Sequence, residues 1–361
     1  MEDDSNSSNR SSFFTDSLDN MIEEAINSVK LKNKIPPDKW NELQPTIDSS
    51  INSSLRESAH LLVLTMRSNQ DSLLLQRKND QNEFNKYILE YWKKPLNLLE
   101  SFIHASIEIG DDLNGKNRRS DNQKMKHSIE LLTRLHGRSC QVSQEILTLL
   151  NHGFPDGAFA RWRTLHEISV VIQIIGSYGE EIAQRYIDYE ICQSASAMLE
   201  HNKHADKLGR EKISDTDIDR IISLKKEKLT TYDPLFSKTN GWASEIIRDK
   251  KPKAERFSFS DLEQLVDQDF MRPYYRMASY SVHADIKGIY RQLSGDKDRV
   301  IPAGSSIFGF AEPGQNTAIS LLKINCVLLS LEKTMQSQLV SMTFEEMCDE
   351  ICQSFVQSKK T

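Results

Sequence analysis

One arginine and one histidine in the second half of the chain have a spacing that suits acid–base chemistry on a phosphate. Arg276 and His283 are seven residues apart, an Arg-x6-His pattern. Seven residues is close to two helical turns, so both side chains face the same way if one helix runs through them. A guanidinium can hold a phosphate with two hydrogen bonds, and an imidazole can move a proton near neutral pH. Both are candidate catalytic residues for cleaving RNA, which supplies its own nucleophile, the 2′-hydroxyl.

The spacing alone does not establish this pair. The chain has 19 Arg and 9 His, so about one or two pairs with this separation arise by chance. Arg161 and His166 form the other one. The structural alternative is an arginine on a solvated helix face and a histidine that is satisfied inside a bundle.

A second pair of charges lies on a strongly apolar segment. Arg163 and Glu167 are four residues apart on a predicted central helix, and charged groups on so apolar a helix are usually paired. They either brace each other or form the second wall of a polar pocket with Arg276 and His283. Several tyrosines also lie close to His283 in sequence, and they can stack on bases or line a core. These are Tyr274, Tyr275, Tyr280 and Tyr290.

A basic run between positions 248 and 256 carries five basic and two acidic residues. Its candidate nucleic-acid contacts are Lys250, Lys251, Lys253 and Arg256, since lysine and arginine bind phosphates. The alternative is a solvated loop.

Metal and nucleotide motifs are weak or missing in the sequence. His201, His204 and Asp206 have helical spacing, but no second cluster supports a metal site. The sequence has no Walker loop, G-x-G-x-x-G, H-E-x-x-H or G-x-S-x-G. We therefore predict neither a metal nor a cofactor.

The elements that position these residues are predicted to be helices. Gly and Pro together number 24 of 361 residues, which is low for a sheet-rich protein. The sequence predicts an all-α, multi-helix bundle with a disordered tail over 1–15, an N-terminal helical region over 16–110, a linker over 111–121 and a helical domain over 122–358.

Within this plan, apolar periodicity predicts individual helices. The first covers 16–34, and a helix over 82–110 breaks at Lys94-Pro95. A helix over 273–290 carries Arg276 and His283, and a single last helix covers 316–357. Short strands are predicted only at 299–301 and 306–310.

Composition narrows the function classes. The net charge of −6 does not favour nucleic-acid binding by the whole molecule, although a local patch can still bind it. No apolar run is long enough to span a membrane, and we expect that the acidic, Ser-rich start does not act as a secretory signal. Five cysteines, with no C-x-x-C, are typical of a reducing cytoplasm.

These motifs together resemble those of a family of uncharacterised helical bacterial proteins. The shared layout is Ala-x-x-Arg-x-x-x-Glu at Ala160, Arg163 and Glu167, followed by Tyr280-Ser281-x-His283. The resemblance covers about residues 122–338, and it implies a domain of unknown function.

The layout also resembles the broader HEPN superfamily (higher eukaryotes and prokaryotes nucleotide-binding). That resemblance implies an all-α, often dimeric domain, and many members are metal-independent ribonucleases in toxin–antitoxin and phage-defence systems. The superfamily signature, Arg-x4–6-His, maps onto Arg276 and His283. Met277 stands where the superfamily often has a polar residue.

We therefore expect a HEPN-like, metal-independent endoribonuclease acting as a toxin or defence effector. Arg276 and His283 are its expected catalytic residues, with Arg163, Glu167, Tyr280 and Ser281 in support. The alternative is a non-catalytic helical module that binds a partner protein or a nucleotide. The expected partners are RNA, a partner protein such as an antitoxin, and further copies of the chain.

Overall fold

The computed structural model describes residues 40–119, 127–293 and 303–359. The helices in these ranges are α1 (Trp40–Ser68), α2 (Gln70–Arg119), α3 (His127–Asn151), α4 (Pro155–Asp188), α5 (Glu190–Leu208), α6 (Asp215–Thr231), α7 (Ser244–Lys250), α8 (Phe259–Leu265), α9 (Arg272–Val282), α10 (Ile286–Leu293), α11 (Ala311–Ser330) and α12 (Met335–Lys359). Short 3-10 turns cover Pro234–Ser237, Gly241–Ala243 and Asp269–Met271.

The prediction of an all-α bundle is confirmed, since the three described ranges contain no strand. The strand predicted over 306–310 is wrong. The Ser306 N–H donates to the Gly153 carbonyl, and the Phe308 N–H donates to the Ser306 hydroxyl, so this segment forms a turn instead. The tail over 1–15, the helix over 16–34 and the strand over 299–301 lie outside the described residues.

Residue contacts divide the chain into two compact units, Met1–Asp80 and Gln81–Thr361. The described part of the first unit consists of α1 and the start of α2. Several of its large apolar side chains are exposed. They include Leu55, Leu61, Val63, Leu64, Leu74 and Leu75. The second unit holds the main hydrophobic core.

Helix α4 is the central element of the second unit, and it packs against α3, α9 and α11. Its start follows from local sequence, because Gly153 adopts a positive φ of 76° and Pro155 occupies the first turn. Trp162 is fully buried, and its indole N–H donates to the Asn316 carbonyl at 2.9 Å and to the Ser320 hydroxyl at 3.0 Å. These bonds fix α11 against α4. The helix is broken internally at Gly179, where φ is 77°.

Helix α2 continues through both points where the sequence predicted an interruption. Pro95 lies inside it, and three neighbours on its apolar face, Trp92, Leu96 and Leu99, are buried. This burial outweighs the hydrogen bond that proline removes. The predicted linker is also helical as far as Arg119, and Leu113 within it is buried. Residues 120–126 of the connection to α3 lie outside the described residues.

Two predicted long helices are each divided in the structure. The helix predicted over 273–290 ends at Val282, and α10 begins at Ile286. The predicted last helix is α11 and α12, joined by a turn in which Lys333 has a φ of 26°. The turn lets α12 fold back along α11, which buries Phe344, Ile351 and Phe355.

A buried polar chain connects α2, α3 and α11 inside the core. Nε2 of His136 lies 3.2 Å from the Asn325 side-chain oxygen, and the Asn325 amide donates to the Ser106 hydroxyl at 2.8 Å. Burial lowers the pKa of His136 below its usual value, although the bond to Asn325 partly opposes this. Burial also raises the pKa of the nearby Cys140 thiol to about 11, so this thiol stays protonated at neutral pH.

The lowered pKa of His136 predicts a loss of stability in mild acid. Below about pH 6.5 the unfolded chain binds a proton at this histidine that the folded chain does not, so the free energy of unfolding falls as the pH decreases. The slope from this one group is at most about 1.4 kcal/mol per pH unit. Urea denaturation between pH 8 and pH 5 measures it. His136→Gln should flatten the profile, whereas His104→Gln, at an exposed position, should not.

Candidate functional site

Helix α9 is attached to α4 through a tyrosine next to the candidate catalytic arginine. The Tyr275 hydroxyl donates to the Glu167 carboxylate at 2.6 Å. Nε of Arg163 lies 3.2 Å from the same oxygen, and its guanidinium carbon lies 4.7 Å from the centroid of the Tyr275 ring. Arg163 and Glu167 therefore brace each other, and together they hold Tyr275.

The environment of Tyr275 shifts its titration. Burial of the side chain and the bond to the Glu167 carboxylate both raise the pKa of Tyr275 above its usual range. The hydroxyl therefore remains a hydrogen-bond donor across the working pH range. The Glu167–Tyr275 hydrogen bond therefore links α4 to α9 at neutral pH.

Removing this hydroxyl with Tyr275→Phe is expected to lower the free energy of unfolding by about 1.5–3 kcal/mol, the usual contribution of a hydrogen bond to a charged group. Urea denaturation measures the change. The neighbouring Tyr274 is exposed, so Tyr274→Phe is the matched control and should leave stability unchanged. Equal stability of Tyr275→Phe and the original chain would show that the bond contributes nothing.

A second, fully buried polar pair begins at His166, the residue directly before Glu167. Nε2 of His166 is 2.9 Å from the Glu263 carboxylate, and the exposed fractions of the two side chains are 2% and 0%. The guanidinium of Arg272 lies 2.8 Å from the other oxygen of the Glu263 carboxylate. Phe259 stacks on Tyr275 with a centroid distance of 4.9 Å. The start of α9 is thus attached to α8 as well as to α4.

Arg276 lies on α9, and His283 follows directly after the last residue of that helix. Both residues are exposed, and neither is joined to Arg163 or Glu167 by a hydrogen bond or ion pair in the described ranges. The one continuous helix predicted through them is not observed, because the backbone of His283 is extended. Its N–H still donates to the Ser279 carbonyl at 3.0 Å. The His283 Cα therefore keeps its helical register, about 10 Å along the axis from Arg276 and on the same side.

Tyr280 and Ser281, the other two residues expected to support them, are half-buried near the end of α9. The Lys287 ammonium lies 5.6 Å from the centroid of the Tyr280 ring. A Cβ at Gly288 would approach the Tyr280 carbonyl oxygen to 2.3 Å. Glycine at 288 thus allows α10 to fold back closely onto the end of α9.

Two lysines of the basic run over 248–256 are engaged in contacts within the protein. Lys251 binds the Asp261 carboxylate and the Gln264 side chain, and Lys250 donates to the Gln264 carbonyl at 3.2 Å. These two lysines, the last residue of α7 and the one after it, therefore hold α8 against the end of α7. Lys253 and Arg256 are exposed. The nucleic-acid contact stays a prediction, with Lys253 and Arg256 as its most accessible members.

The three residues considered as metal ligands in the sequence make ordinary contacts within the protein. His204 lies 3.0 Å from Glu200, His201 lies 3.0 Å from the Glu211 carbonyl, and Asp206 binds Lys212 at 2.8 Å. No group of three or more metal-ligating side chains occurs in the described part of the chain.

A cleft of about 620 Å³ has Glu167 in its lining, whereas Arg276 and His283 are not among its lining residues. Residues of α3, α4, α5 and the segment 239–262 line it. Its aromatic members are Tyr186, Tyr189, Trp242 and Phe259. The carboxylates in its lining are Glu167 and Glu190.

Sequence reasoning missed Glu263 and Arg272 as members of the network around Glu167. Glu263 lies on a seven-residue helix, which is too short for periodicity to show which side is buried. His166 was noted only for its spacing from Arg161. His166 lies three residues after Arg163, so the two side chains are neighbours on one helix surface. That spacing is the signal by which His166 could have been assigned to the polar network.

The fold and the site define an all-α domain whose exposed arginine lies on a helix anchored to the core and whose exposed histidine directly follows that helix. A family model described as "Family of unknown function (DUF5677)" matches residues 129–300, from α3 to just beyond α10. The chain is similar to that family over this part, in agreement with the resemblance to an uncharacterised domain. No curated protein and no solved structure matches the chain.

No helix in the described ranges is long and apolar enough to cross a membrane.

Proposed function

We propose that this protein is a HEPN-like, metal-independent endoribonuclease that acts as a toxin or phage-defence effector in the cytoplasm. The observation that carries the proposal is the placement of Arg276 and His283. Both are exposed, Arg276 on α9 and His283 directly after its last residue, where a phosphodiester chain can reach them. The opposite side of the helix is buried through Tyr275 and Ala278.

The proposed chemistry needs a base or acid and a cation at one phosphate. His283 takes the proton of the 2′-hydroxyl or protonates the leaving 5′-oxygen, and solvent water carries out the other of these two proton transfers. The Arg276 guanidinium neutralises charge on the phosphorane. The attack forms the 2′-oxygen–phosphorus bond and breaks the phosphorus–5′-oxygen bond. The products are a 2′,3′-cyclic phosphate and a 5′-hydroxyl.

Arg163 and Glu167 act in this proposal as positioning residues, because they reach α9 through Tyr275. Arg272 and Glu263 hold the beginning of the same helix. A fixed helix keeps the two exposed groups in register for the transition state. We further propose that two copies of the chain associate and that each contributes an Arg276–His283 pair.

The direct test is incubation of the purified full chain with total cellular RNA in excess EDTA. Cleavage with 2′,3′-cyclic phosphate ends supports the proposal. Cleavage that requires an added divalent cation, or fragments ending in 3′-hydroxyls, contradicts it.

A second candidate function is a non-catalytic module that binds a partner protein or a nucleotide. The observation that favours it is the set of exposed leucines on the first unit, including Leu61, Leu64, Leu74 and Leu75. Apolar side chains grouped on a helical surface often mark a protein-binding site. Under this alternative, RNA stays intact, and replacing His283 leaves partner binding unchanged.

A further inference from the structure

The cleft beside Glu167 has the dimensions of a small-molecule site. Its volume of about 620 Å³ falls within the range of roughly 300–1,000 Å³ that is usual for ligand pockets. Leucine, isoleucine and valine side chains of α3 and α4 form one wall. These are Leu131, Leu135, Ile168 and Val171.

Aromatic rings form much of the remaining lining, and contacts inside the protein hold them. Tyr186 and Trp242 meet edge to face, with centroids 4.9 Å apart. The Tyr189 hydroxyl donates to the Lys238 carbonyl at 2.8 Å. Phe259 is held by its stacking on Tyr275. The aromatic surface is therefore organised before any ligand binds.

The charged side chains in the lining of the cleft are both acidic. Glu167 and Glu190 line it, and its described lining includes no lysine, arginine or histidine. One oxygen of Glu167 accepts bonds from Tyr275 and Arg163, and the other makes no hydrogen bond in the described structure. Arg163 offsets part of this charge from outside the lining, and Glu190 adds a second carboxylate at the cleft.

We propose that this cleft binds a small organic cation, an ammonium or guanidinium group carried on an apolar or aromatic body. Aromatic faces attract such cations, and a carboxylate with an unused oxygen gives the charge a partner. The apolar wall accommodates the rest of the molecule. A phosphate-bearing ligand is disfavoured, because both charged groups in the lining repel it. The proposal is independent of RNA cleavage at Arg276 and His283.

Three phenyl compounds of similar size and different charge test the proposal: phenethylamine, phenethyl alcohol and 3-phenylpropionate. Each is titrated into the full chain carrying ¹³C-labelled methyl groups, and methyl shifts are recorded by NMR. We expect the amine to shift the methyls of Leu131, Leu135 and Ile168 and to bind at least tenfold more tightly than the alcohol. The carboxylate should give no saturable shift.

Two charge variants and one control complete the test. Glu167→Gln and Glu190→Gln should each weaken amine binding several-fold without changing binding of the alcohol. Glu211 is exposed and outside the lining, so Glu211→Gln should leave the amine affinity unchanged. The proposal is overturned if amine and alcohol bind equally, if the shifted methyls lie outside the cleft, or if both cleft variants bind the amine as well as the original chain does. Since no RNA is present, failure here is distinct from failure of the nuclease proposal.

Discussion

RNA cleavage in EDTA is expected to fall by about two to four orders of magnitude when His283 is replaced with alanine, the usual contribution of a general acid or base. Fold stability should change little, because His283 is exposed at the end of α9. The measurement is the initial rate of cleavage of a labelled RNA, with urea denaturation run in parallel.

Arg276→Ala should lower the same rate by about two to three orders of magnitude, because the phosphorane loses its cation.

The matched control for these variants is His104→Ala. His104 is also an exposed histidine of the second unit, but it lies on α2. Its replacement should leave the cleavage rate unchanged. If His283→Ala cleaves RNA as fast as the His104 variant while both remain folded, then His283 is not a catalytic residue and the interaction module becomes the better proposal.

The largest stability effect is expected at Glu263, where replacement by alanine should lower the free energy of unfolding by about 3–5 kcal/mol. The carboxylate is fully buried and serves both His166 and Arg272. Removing the carboxylate leaves His166 and Arg272 without this hydrogen-bond acceptor, and His166 lies in the core. Urea denaturation of the full chain measures the loss.

A surface ion pair gives the comparison for this prediction. Glu130 and Arg134 lie 2.7 Å apart on α3 with exposed side chains, so Glu130→Ala should cost about 1 kcal/mol or less. Glu263→Gln separates the two causes, since it keeps the shape of the side chain and removes its charge. A loss at Glu263→Ala no greater than at Glu130→Ala would show that the buried carboxylate does not hold α8 and α9 together.

The parts of the fold that depend on local sequence could be predicted. Gly153 follows one helix and Pro155 begins the next, which are positions that these residue types favour, and the Ser214 side chain caps α6 by accepting the Asp217 N–H. These features are determined within a few residues. The continuation of α2 through Pro95 could not be predicted in the same way, because it depends on burial against distant helices.

The candidate site shows the same division. The Arg163–Glu167 ion pair follows from a spacing of four residues on one helix. Its link to Tyr275 joins residues 108 positions apart, so it depends on how α4 and α9 pack. A single sequence contains no signal for that packing. For the same reason, the sequence could not show that Arg163 and Glu167 contact Tyr275 rather than Arg276.

The tryptophans give the second unit its own optical signal. Trp92, Trp162 and Trp242 are all buried in its core, where indole emission is blue-shifted, and Trp40 belongs to the first unit. Tryptophan emission is therefore weighted towards the second unit, whereas far-ultraviolet circular dichroism sums the helices of both. Two denaturation curves recorded by these methods on one sample would coincide if the units unfold together. A separation between them would give each unit its own midpoint without dissecting the chain.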